Sequence, residues 1–78
     1  MVEKLRIRES FNMTPNKWYR ALEDEWDHGR EVVFQLAETI EEDEEFFATG
    51  FTTDGRSVML KLIYWEFKEL TELEVALL

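Results

Sequence analysis

Glu9 is the residue whose type fits its neighbours least, and the hydroxyl of Ser10 stands beside it. Residues 4–12 alternate as a strand does, with Leu5, Ile7 and Phe11 on one side and Lys4, Arg6, Arg8, Ser10 and Asn12 on the other. Glu9 falls in the apolar series. A carboxylate in that series is a local conflict, which a strand end, a bulge or a binding partner must resolve. The functional reading is a position kept for binding on an exposed strand edge, where free backbone groups also await a partner. The plain alternative is a solvated acid at a bulge.

No other residue set is arranged for catalysis. The single histidine, His28, has no cysteine or second histidine with which to share a metal, and it sits beside Gly29 where a chain turn is expected. The acidic run at residues 41–45 lacks the alternating oxygen ligands and the central glycine of an EF-hand loop, so solvated charge is expected there. The glycines are Gly29, Gly50 and Gly55, too scattered for a phosphate-binding loop. Carboxylates are plentiful, but they fall on turn tips and on the faces of the predicted helix. The sequence therefore predicts no enzyme, no cofactor and no metal.

The remaining chemistry is charge. Eighteen acids oppose nine bases, for a net charge of −9 over 78 residues. Nucleic acid binding through phosphates needs the opposite sign, so direct contact with nucleic acid is not expected. The complementary partners are basic, and nucleic-acid-binding proteins are the commonest basic surfaces in a cell. The competing reading is that the acidity serves solubility. The acids cluster: Glu38, Glu41, Glu42, Asp43, Glu44 and Glu45 crowd one predicted hairpin, with Asp54 in the next turn, while Lys4, Arg6, Arg8, Lys17 and Arg20 lie toward the start. A molecule with charge segregated in this way can orient a partner as well as attract it.

The elements that must position these residues fit one domain, residues 1–78. With no cysteine there is no disulfide, so the fold must rest on its apolar core, and 45% of the chain is hydrophobic. Residues 4–12 form the first predicted strand. Thr14 and Pro15 have the form of a helix start, with a capping hydroxyl followed by proline at the first helical position. Trp18, Ala21, Leu22 and Trp26 then recur at helical spacing, which predicts an amphipathic helix over residues 15–26. Alternation predicts strands over residues 31–40 and 45–52, joined by an acidic turn. Asp54-Gly55 predicts a tight turn into a fourth strand over residues 57–67. That fourth segment is apolar on both faces, which predicts a central, covered strand. Residues 73–78 fit a fifth strand, although Leu70, Leu73 and Leu77 also fit a short helix. The fold class predicted is α+β, a twisted antiparallel sheet of about five strands with one main amphipathic helix after strand 1.

The series Leu5, Ile7, Glu9, Ser10, Met13, Pro15 resembles the first strand and helix start of the phage uracil-DNA glycosylase inhibitor family, in the same order. About a dozen residues carry the specific match. The acidic hairpin and the apolar fourth segment extend it as an architectural likeness. The family consists of DNA mimics. The resemblance implies that Glu9 and Ser10 enter the glycosylase's DNA-binding cleft, with Phe11 beside them, and that Glu9 stands in for a phosphate. It also implies a pocket between helix and sheet for the enzyme's wedge side chain, lined here by Met13, Trp18, Leu22, Phe34, Phe47 and Leu62. Where the family's helix carries acids, this chain has Lys17 and Arg20.

The expectations are then a monomer when free that pairs one-to-one with uracil-DNA glycosylase and blocks uracil excision, in the cytoplasm of a bacterial cell. Two other readings compete: a DNA mimic aimed at a restriction or CRISPR nuclease, and a small acidic interaction domain. The chain has no run of about 18 apolar residues of the kind a membrane span needs, so no membrane partner is expected.

Overall fold

The computed structural model describes residues 13–23 and 29–78. Its elements are β1 (Trp18–Glu23), β2 (Glu31–Glu42), β3 (Glu45–Thr52), β4 (Ser57–Lys61), a 3-10 turn (Leu62–Tyr64), β5 (Trp65–Glu69) and a short helix α1 (Glu72–Ala76). The five strands form one sheet in the order β4-β3-β2-β1-β5, and every pairing is antiparallel.

The main amphipathic helix predicted over residues 15–26 does not exist in residues 15–23; that stretch is a turn followed by β1. The cause is local. Asn16 lies at φ 73°, in the left-handed region, directly after Pro15. The Lys17 N–H donates to the Thr14 carbonyl at 3.3 Å. Proline second and a left-handed Asn third are the signature of a type II turn. A left-handed residue there ends any helix before it begins. The same Thr-Pro pair that suits a helix start also suits a turn. The Thr14 N–H then donates to the Tyr19 hydroxyl at 2.7 Å. Asn16 N–H to Leu36 carbonyl and Leu36 N–H to Lys17 carbonyl stitch the turn onto β2. Trp18 and Tyr19 favour extended backbone, and period two wins: Tyr19 and Ala21 are buried while Trp18, Arg20 and Leu22 face the other way. Among the described residues the fold is an antiparallel sheet with one short helix, and no main amphipathic helix precedes β1.

The predicted fourth strand, residues 57–67, is two strands joined by the 3-10 turn. The inward residues are Val58, Leu60 and Leu62 before the turn, then Trp65 and Phe67 after it. Inward positions therefore change from even to odd across Leu62–Tyr64, and that switch made one continuous strand look apolar on both faces. β4 is an edge strand, not a central one. The proposed fifth strand at residues 73–78 is replaced by α1, whose Thr71 side chain accepts from Glu74 N–H while Glu74 accepts from Thr71 N–H, a capping box. β3 has the predicted bounds, and β2 runs two residues further than predicted, to Glu42.

The connection from β4 to β5 forces curvature. In a flat sheet these two edges would lie about 19 Å apart, at about 4.8 Å per strand spacing. The three residues of a 3-10 turn rise only about 6 Å. The sheet must therefore curl until its edges approach, as a small, partly open barrel does. The described strands thus form a four-strand meander, with a 3-10 turn leading back to a fifth strand beside the first. Connectivity of this kind assigns no function by itself.

Inside the curl sit Tyr19, Ala21, Phe34, Leu36, Ala48, Leu60 and Leu62. The Phe34 ring meets Phe67 edge-on at 6.0 Å and Tyr19 at 6.3 Å. Gly50 permits the closest backbone approach: a Cβ there would lie 2.0 Å from the Gln35 carbonyl oxygen. One residue further along β2, the register shifts between Leu36 and Glu38, a bulge that bends the strand around the core.

Candidate protein-interaction surface

The β2–β3 hairpin is closed by a two-residue turn, Asp43-Glu44, with φ 51° and 64°. Two successive left-handed residues make the type I′ geometry that matches the twist of paired strands. Asn-Gly is the usual solution; here two acids hold it. Glu42 pairs directly with Glu45 below the turn, and Glu41 pairs with Phe46. Like charges facing each other across a strand pair are unfavourable. Residues 41–45 are all exposed. Among the described residues Glu45 alone of these is paired with a cation: its Oε1 lies 2.8 Å from Lys61 Nζ, and that hydrogen bond raises the lysine pKa above its ordinary value. Among the described residues no ion pair engages Glu38, Glu41, Glu42, Asp43 or Glu44.

The other acids are largely engaged. Glu23 holds Arg30 in a two-pronged contact of 3.0 Å each, and this hydrogen bonding lowers the Glu23 pKa. Arg20 lies 2.7 Å from Glu31 and 3.5 Å from Glu74. Lys17 is 3.9 Å from Glu69. Asp54, grouped with the hairpin acids by sequence, sits in the β3–β4 turn at the opposite end of β3. There it accepts from the Thr52 hydroxyl, which lowers its pKa, and lies 3.2 Å from Arg56.

The residues proposed to line a wedge pocket do not come together. Phe34 and Leu62 are core, at 0% and 7% exposure. Met13 packs against that core from its edge. Trp18, Leu22 and Phe47 lie on the outward face, with Leu22 between Glu31 and Glu66 in the sheet. Among the described residues no helix follows the turn at Pro15-Asn16, so these side chains frame no helix–sheet groove. Glu9, Ser10 and Phe11 lie outside the described residues.

What the sequence did not single out is the outward face of β3 and β4. Phe51 and Met59 are each about half exposed, at 52% and 51%. Alternation in β3 placed Phe47 and Phe51 together, but Met59 was assigned to a covered strand, so its exposure was hidden by the parity switch. A hollow of about 240 Å³ lies between β1, β5 and α1, lined by Arg20, Lys68, Glu69, Leu70, Thr71 and Glu74. Its arginine is already held by two carboxylates. Among the described residues no group of three or more histidine, cysteine or acidic side chains is placed to hold a metal ion. Nor is any helix among them long and apolar enough to cross a membrane.

Neither a protein-family model, nor a curated protein, nor a solved structure matches the chain.

Proposed function

We propose that this chain is a non-enzymatic binding module that docks its β2–β3 hairpin on the basic surface of a partner protein, and that the partner is a DNA-processing enzyme, with uracil-DNA glycosylase the first to test. The observation that carries this reading is the exposed group Glu41, Glu42, Asp43 and Glu44 at one end of the sheet, which no ion pair engages among the described residues. A DNA-binding cleft is a standing basic surface, built to neutralise phosphates at strand-like spacing. A rigid hairpin carrying successive carboxylates offers such a cleft substitute anions.

Support for the glycosylase in particular comes from the order of Leu5, Ile7, Glu9, Ser10, Met13 and Pro15. The turn at Pro15-Asn16 replaces the helix start that the resemblance implies, and the wedge pocket falls with it. What is left of mimicry is acidic: Glu9 with Ser10, and the hairpin.

The deciding measurement is uracil excision with the full chain added at equimolar ratio and in excess, across a salt series. Inhibition near equimolarity that weakens with salt is the expected result. No inhibition by a large excess, with glycosylases from several bacteria, removes that enzyme as the target. Neutralising Glu41, Glu42, Asp43 and Glu44 to their amides should slow association about tenfold or more at low salt and leave dissociation little changed. An unchanged association rate would place the docking surface elsewhere.

A further inference from the structure

The outward face of a half-solvated antiparallel sheet is ordinarily polar. Here β3 directs Phe47 and Phe51 outward, and β4 adds Met59. Ile40 of β2 pairs with Phe47, which pairs in turn with Lys61. Two of these side chains are half in water, although the core within the curl is already filled by others. Apolar side chains left half in water on an outward sheet face, with Phe47 partly exposed beside them, mark a place where something docks.

Its surroundings define the chemistry of the occupant. Glu38 pairs with Thr49, itself paired with Met59, so a carboxylate that no ion pair engages among the described residues lies on the same face beside the strip. Glu42, in the same condition among the described residues, continues that row toward the hairpin. A second copy of the chain would bring net charge −9 against −9 and set these acids against one another. An anionic lipid surface is repelled for the same reason. Cationic, apolar-faced protein is what the pattern accepts. From Phe47 to Phe51 the strip runs about 13 Å, at about 3.3 Å per residue. That length suits two to three turns of helix at about 5.4 Å pitch. A helix laid on an open sheet face also completes the two-layer packing that the sheet lacks on this side.

We infer that the outward face of β2–β4 is the seat of a basic amphipathic helix from the partner protein, with its apolar stripe on Phe47, Phe51 and Met59 and its cations against Glu38 and Glu42. This rests on the reading of the chain as a module for a basic partner, and adds to it where and in what form that partner binds.

The probe is a synthetic helical peptide of leucine and lysine, about 18 residues long, with the leucines on one face. A scrambled peptide of the same composition and an acidic version in which glutamate replaces lysine serve as controls. Binding to the full-length chain is followed by anisotropy and by amide shifts in NMR. The amphipathic basic peptide should bind about tenfold more tightly than the scrambled one, with shifts along residues 47–51 and 57–61. Phe51→Ser with Met59→Ser should abolish that tenfold advantage while the circular dichroism and the melting temperature stay close to wild type, because both side chains face solvent. Equal binding of amphipathic and scrambled peptides overturns the inference and leaves the hairpin reading standing. Tighter amphipathic binding that the double variant does not change also overturns it. A dimer in sedimentation that the double variant dissolves overturns it by giving the face to a second copy. Failure of every basic probe to bind, with salt lowered, overturns this inference and the proposed function together.

Discussion

The two turns that bound β3 are built in opposite ways. At the β3–β4 end the chain uses its chemistry on itself. Gly55 takes the left-handed position at φ 85°, the Thr52 N–H donates to the Arg56 carbonyl, the Arg56 N–H donates to the Thr52 hydroxyl, and Asp54 is held by the Thr52 hydroxyl and by Arg56. At the β2–β3 end two acids occupy left-handed backbone, two more face each other below them, and among the described residues no ion pair engages Asp43 or Glu44. One turn is optimised for folding. The other keeps charge where a foldable alternative, Asn-Gly, was open to it. That contrast is what the proposed docking of the hairpin on a partner accounts for.

The largest effect should come from the residue on the strand that both turns share. Gly50→Ala drives a Cβ against the Gln35 carbonyl oxygen, 2.0 Å away, so the β2–β3 backbones must separate. We expect a loss of about 3 kcal/mol or more in urea unfolding. A loss under about 1 kcal/mol would mean that the hairpin adapts freely and that its turn geometry is not fixed by the strand.

Converting the acidic turn to the conventional one sharpens the contrast. Asp43→Asn with Glu44→Gly should raise stability by about 1–2 kcal/mol, since two left-handed positions lose their steric penalty, while association with a basic partner slows. The gain in stability and the loss in binding rate should appear in the same protein. If stability does not rise, the turn is relaxed and the comparison fails.

Gly55→Ala is the mirror test. Nothing lies within 4 Å of the added Cβ, so the penalty is conformational alone, about 1 kcal/mol at φ 85°. Association with the partner should not change.

The smallest effect is in the pH dependence. The carboxyls of Asp54, Glu23 and Glu74 are depressed, by the Thr52 hydroxyl, by Arg30 and by the Thr71 backbone N–H respectively. A depressed folded-state pKa contributes stability that is present above the unfolded value and is lost as pH falls through the folded one. Unfolding midpoints should therefore hold from neutral pH to about 4 and decline below it. Asp54→Asn should narrow that decline. A midpoint that rises on acidification would show that relief of repulsion among the acids outweighs these three contacts.

How much of this was legible depends on which residues decide each element. β2, β3 and both of their turns follow from alternation, broken in β2 only by the bulge after Leu36, and from turn residues, and those are local signals. β1 was misread because Trp18, Ala21 and Leu22 satisfy a helical spacing as well as a strand, and the deciding residue was Asn16, whose left-handed backbone has no periodicity to announce it. β4 and β5 were read as one because the parity switch at Leu62–Tyr64 depends on where the chain pairs, not on what it contains. The α1 capping box was present in Thr71 and Glu74 and was overlooked beside the apolar tail. For the site, the acidic cluster was legible as composition. The pocket was not, because whether Phe34 or Phe47 faces inward is set by sheet register. Phe34 is inside and Phe47 outside for that reason alone.

The three-residue link between β4 and β5 also determines the order in which the molecule assembles. β1 to β4 form a meander of neighbouring hairpins, each closing a short loop, whereas β5 must find β1 across the whole domain: Tyr19 pairs with Glu69, fifty residues away. Closing a loop of that length costs about 3–4 kcal/mol in chain entropy, repaid only when the seam is complete. The β1–β5 seam is thus expected to be the slow step of folding and the first place to open in the native state, with the acidic hairpin in the part that forms early. Amide exchange should be fastest along that seam and slower in β2 and β3. On that expectation the proposed docking surface exists before the fold is finished and outlasts the openings of the seam.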